Sequence, residues 1–108
     1  MQIQITNKGK YVIITLIHSF DEDIDVEYFD SYLKTVIEKG SHFIAIKFSE
    51  NSHLYSGAIS ILIRYKKTLR EKNGNICILN ANESISKAFK ILHLDREFKL
   101  YTRLEDLP

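Results

Sequence analysis

The sequence predicts one α/β domain over residues 1–108, a mixed β-sheet with helices packed on it in the order β-β-α-β-α-β-α-β. Three observations carry this reading. Several apolar, β-branched runs have the length of strands, longer segments place apolar residues at helical spacing, and the two kinds alternate after an opening hairpin. A chain of 108 residues has room for one hydrophobic core.

Ile3 and Ile5 alternate with Gln2, Gln4 and Thr6, the period of a strand with one wet face, and Asn7-Lys8-Gly9-Lys10 supplies a turn. Short and half polar, this strand belongs at a sheet edge. Tyr11 to Ile17 is almost continuously apolar, as expected of a strand covered on both faces. Val26, Phe29, Leu33, Val36 and Ile37 then mark a helix, with Asp23 or Asp25 as its N-cap and Gly40 as its stop. Phe43 to Phe48 reads as an interior strand, and the polar residues 49–53 as the loop at its carboxyl end.

A second helix starts at Ser56. Ala58, Ile59, Leu62, Ile63 and Leu69 form its buried face, Arg64, Lys67, Arg70 and Glu71 lie largely opposite, and Asn73-Gly74 ends it. Ile76 to Leu79 makes the next strand. Asn80 and Glu83 have the spacing of a capping box in front of a third helix defined by Ile85, Ala88, Phe89 and Leu92. Phe98 to Tyr101 reads as the last strand, and residues 102–107 as a short C-terminal helical turn. Right-handed crossovers would lay the helices against the sheet.

Composition narrows the function. Hydrophobic residues make up 44% and charged residues 27%, the balance of an ordinary folded chain. Fifteen basic against fourteen acidic residues give a net charge of +1, which lacks the basic field that direct nucleic-acid binding relies on. No apolar run is long enough to span a bilayer and the start is not that of a signal peptide, so the expected location is the cytoplasm. The lone Cys77, inside Ile76-Cys77-Ile78-Leu79, reads as a small buried hydrophobe.

The motifs of catalysis are missing. His18, His42, His53 and His93 are scattered without metal-ligand spacing, and no glycine-rich phosphate loop occurs. Ser56-Gly57 follows a strand and a loop as a nucleophile elbow would, but Leu54 and Ala58 stand where that motif needs glycine. The acidic cluster Asp21-Glu22-Asp23-Ile24-Asp25 reads as a solvated loop leading into a helix N-terminus. The expectation is therefore a binding protein, not an enzyme, with no metal and no cofactor.

Tyr55-Ser56-Gly57 opening an apolar helix, followed by Arg64-Tyr65-Lys66, a strand and a third helix, resembles the STAS domain, whose best-known bacterial members are anti-sigma factor antagonists. The stretch from Leu92 through Leu94-Asp95-Arg96-Glu97-Phe98-Lys99-Leu100-Tyr101 to Leu104-Glu105-Asp106-Leu107 is similar to the ending of that family. The resemblance in element order runs the length of the chain, and the resemblance in residues begins near Phe43.

That resemblance implies a regulator of transcription that binds an anti-sigma factor or a related serine kinase-like protein and frees a third protein by mutually exclusive binding. It implies no membrane insertion and leaves a homodimer open. By position, Ser56 matches the serine that the partner kinase phosphorylates in antagonists of the family. The partner-binding residues it suggests are His53, Leu54, Tyr55, Ser56, Gly57 and Ser60. Ser56 also has a simpler reading as the cap of its helix. Gly57 either admits another backbone close to the helix start or serves an unusual dihedral. Leu54, where the family has an acidic residue, favours a second expectation, a non-phosphorylated STAS subunit of a transporter or sensory complex. A domain that binds a small ligand or nucleotide is the third.

Overall fold

A computed structural model describes residues 3–16, 23–48, 56–79 and 82–108, with backbone alone at residues 23, 24 and 56. The chain runs β1 (Ile3–Lys8), β2 (Tyr11–Leu16), α1 (Asp23–Glu38), β3 (Phe43–Lys47), α2 (Ser56–Glu71), β4 (Asn75–Leu79), α3 (Glu83–Ile91) and β5 (Leu100–Tyr101). Short 3-10 turns cover Leu94–Arg96 and Leu104–Asp106. The mixed α/β class and the element order are those the sequence predicts.

The five strands lie side by side in chain order, β1 antiparallel to β2 and every later pair parallel. Because the sheet grows in one direction, crossovers of one hand deposit α1, α2 and α3 on the same face. Ile14, Leu16, Ile44, Ile46, Ile76 and Ile78 meet Phe29, Leu33, Leu62, Leu69, Ile85 and Phe89 there in the main core. Alternate strand residues point the other way. Tyr11, Ile13, Ala45, Cys77 and Leu79 form a second cluster closed by Leu107. Lys8 holds that C-terminal turn by donating from Nζ to the carbonyls of Leu104 at 2.6 Å and Leu107 at 2.9 Å.

Local chemistry sets the ends of the elements. The two-residue loop Gly9-Lys10 joins β1 to β2, and Gly9 takes the positive φ of 56° that its place in the hairpin needs. At the end of α1, Gly40 at φ 97° lets its own N–H reach the Ile37 carbonyl and the Ser41 N–H reach that of Val36. Asn73 does the same for α2 at φ 60°, with N–H bonds from Asn73 to Arg70 and from Gly74 to Leu69.

Five details depart from the sequence reading. α1 begins at Asp23, so Asp23 and Asp25 fall in its first turn and the capping position precedes them. Asn82 caps α3 by accepting the Ile85 N–H at 2.8 Å, two residues beyond Asn80, which lies outside the described residues. Leu92 is an exposed C-cap residue and not part of the apolar face. On α2, Ile63 is 48% exposed and Ile59 half-buried, while Ile61 and Tyr65 are buried. β5 is two residues long, because Phe98 turns out of the strand into the main core beside Phe89, ring centroids 5.7 Å apart. Among the described residues no helix is long and apolar enough to cross a membrane.

Candidate functional site

The sequence directs attention to the start of α2, and two contacts with α1 fix where that start lies. Gly57 is half-buried, and a Cβ built on it would come within 3.1 and 3.3 Å of the two methyls of Val26. Within the chain, what approaches Gly57 is a side chain of α1, and its φ lies outside the left-handed region, so an unusual dihedral does not explain the glycine. One turn further along α1, Asp30 receives Arg64 Nη2 and Tyr65 Oη, each at 2.5 Å from Oδ1. Val26 and Asp30 therefore grip α2 at Gly57 and again two turns later, which sets its tilt and the direction of its outer face.

The hydrogen bonds from Arg64, and then from Tyr65, hold the Asp30 carboxyl below its ordinary range. Burial pushes the Tyr65 phenol up, and its bond to Asp30 adds to that. Lys66 turns towards β4 and donates to Asn75 Oδ1 at 2.6 Å, with burial pulling its pKa down. The run Arg64-Tyr65-Lys66 thus sends its residues to three tasks: an ion pair half in solvent, a buried inter-helix bond, and a tie to the sheet.

Ser56 is the first residue of α2 and Ser60 is exposed one turn on. Residues 56, 60, 63 and 67 follow the three-and-four spacing of one helix face, so the exposed Ile63 and Lys67 continue the line. No acidic residue occupies the first turn of α2, which leaves the positive end of the helix dipole without a counter-charge from that turn. His53, Leu54 and Tyr55 lie outside the described residues.

Among the described residues no three His, Cys, Asp or Glu side chains converge as metal ligands would. The C-terminal run splits between the two cores. Phe98 enters the main one, whereas Leu107 closes the second, against which Tyr101 packs. Sequence reading named Tyr65 only within Arg64-Tyr65-Lys66 and missed Asp30 and the bond between them. Only the buried phase shared by Tyr65, Ile61 and Leu62 would have pointed to one of them.

The sequence model of the STAS domain matches residues 2–107. No curated protein matches the chain by sequence. Among solved structures, the Thermotoga maritima protein TM1081 superposes with a TM-score of 0.86 at 15% identity, over 96% of this chain and 89% of its own. An anti-sigma factor antagonist from Mycobacterium paratuberculosis gives 0.81 at 15%, over 97% and 88%. The Bacillus cell fate determinant SpoIIAA, in its phosphorylated form, gives 0.72 at 19%, over 97% and 96%. At these identities the likeness is one of fold.

Proposed function

Because the chain belongs to the STAS domain family, we propose that it is a regulatory binding protein of the anti-sigma factor antagonist kind, with no catalytic turnover of its own. Its partner is an anti-sigma factor or a related serine kinase-like protein, docked on the surface that begins at Ser56 and continues over Ser60 and Ile63. The exposure of Ile63 carries this reading, since an apolar side chain 48% exposed between Ser60 and Lys67 on one helix face suits the centre of a small docking patch. Binding there releases a third protein, and the setting is the bacterial cytoplasm.

Phosphorylation of Ser56 is the switch. A phosphoryl group adds a charge of roughly −2 at the helix N-terminus, where free N–H groups stabilise it within this chain. The same charge changes the surface the partner meets, so the complex is lost while the fold is kept. That SpoIIAA, which shares this fold, has been solved in a phosphorylated form supports a switch of this kind. Leu54, in place of an acidic residue, favours the second reading, a constitutive STAS subunit of a transporter or sensory assembly.

Purification from native lysate, followed by incubation with the co-purified kinase and mass spectrometry of the peptide containing Ser56, separates the two. A phosphate on Ser56 supports the switch. A stable complex with Ser56 unmodified supports the constitutive subunit, and a chain that retains only a small molecule contradicts both.

A further inference from the structure

Helix α1 carries a second stripe beside its core-facing one. Tyr28 and Tyr32 lie one turn apart along it and stack with centroids 6.2 Å apart, and the core residue Val36 ends the line. They form one wall of an open groove of about 740 Å³ whose floor is Ile5, Asn7 and Val12 of the first hairpin. Ile5 is 41% and Tyr28 50% exposed, so the helical layer stops short of β1.

The outer edge of β1 lacks the devices that usually keep sheet edges apart. Its pairing with β2 is unbroken from Ile3↔Leu16 to Lys8↔Tyr11, so it has no bulge, and it contains no proline. Its one charge, Lys8, is turned to the carbonyls of Leu104 and Leu107. Lys8 and Tyr11 close a two-residue hairpin and so exchange hydrogen bonds, as do Thr6 and Gln4 with their partners by alternation. Ile3, Ile5 and Asn7 therefore aim their N–H and C=O groups away from the sheet. They pair with Leu16, Ile14 and Val12, which places their side chains on the helical face with the groove.

We propose that this edge and groove form the interface of a homodimer, in which two β1 strands pair antiparallel about a two-fold axis at Ile5. Ile5 then lies opposite its own copy and Ile3 opposite Asn7, with every outward backbone group in that stretch bonded. The groove selects a second copy over an unrelated strand through its charges. Glu27 lines one end and Lys39 the other, and neither makes an ion pair among the described residues. A two-fold axis sets α1 antiparallel to its copy, so each Glu27 faces the Lys39 of the other subunit while the tyrosines fill the space between. This surface is separate from the start of α2, and its failure leaves the docking site above intact.

Sedimentation velocity of the full chain over a micromolar concentration series tests the interface. The wild type is expected to dimerise. Ile5→Lys, placing two like charges opposite each other at the axis, should raise the dimer Kd roughly tenfold or more with the thermal melt of the monomer kept. Glu27→Lys, at an exposed position, should weaken the dimer, and Glu27→Lys combined with Lys39→Glu should restore it. A wild type that stays monomeric throughout, a dimer indifferent to Ile5→Lys, or a charge swap that fails to restore association each overturns the proposal.

Discussion

The carbonyl oxygen of His42 occupies the space a side chain on residue 74 would need: a Cβ built on Gly74 falls 2.0 Å from it. The same oxygen accepts the Asn75 N–H at 2.9 Å, so the two backbones meet where β3 and β4 both begin. Gly74→Ala cannot be relieved by turning a side chain. It is expected to cost about 3 kcal/mol of unfolding free energy through displaced strand ends, measured by urea denaturation.

Asp30 makes stability depend on acid. Its pKa in the folded chain is depressed by the bonds from Arg64 and Tyr65, so its contribution is complete above the unfolded value of roughly 4 and is lost as pH falls through the lower folded value. Asp30→Asn should flatten that acid limb in a plot of unfolding free energy against pH. Tyr65→Phe should cost on the order of 1 kcal/mol at neutral pH, the net worth of one part-buried hydrogen bond.

Cys77 is fully buried, and burial pushes its thiol up to about 12. Almost no thiolate exists at neutral pH, and no reagent reaches the sulfur without opening the sheet. Labelling by an aromatic disulfide should therefore be slow in buffer, at the rate of unfolding, and immediate in denaturant.

Neighbouring residues on α2 should behave oppositely. Leu62 is 1% exposed and Ile63 48%. Leu62→Ala should destabilise by about 2–5 kcal/mol. Ile63→Ala should change stability by less than ~1 kcal/mol and instead weaken partner binding, read by thermal melts and calorimetry together. Ile59, half-buried, should tolerate Asp better than Leu62 does.

The sequence made the strands legible because β2, β3 and β4 are buried on two faces and so stay apolar residue after residue. Turn chemistry at Gly40, Asn73 and Gly74 marked the ends of two helices. Periodicity misled on α2 because Ile59, Ile61, Leu62 and Ile63 together wrap past the width of one face, and only the sheet decides which of them is covered. The Asp30 to Tyr65 bond links residues 35 apart on different helices, a relation no local pattern carries. The groove was hidden for the same reason, since Ile5 on β1 and Tyr28 on α1 are brought to one surface only by the helical layer ending before β1. Of the candidate site, Ser56, Gly57 and Ser60 fall at the helix start as expected, whereas His53, Leu54 and Tyr55 lie outside the described residues.

Calorimetric titration of the cognate anti-sigma factor into wild type, Ser56→Ala and Ser56→Asp tests the regulatory reading most directly. Ser56→Asp adds charge at the first residue of α2, where the helix dipole accommodates it, so affinity should fall at least tenfold with the melt unchanged, while Ser56→Ala binds much as wild type does. Equal affinity for all three would contradict docking at the start of α2.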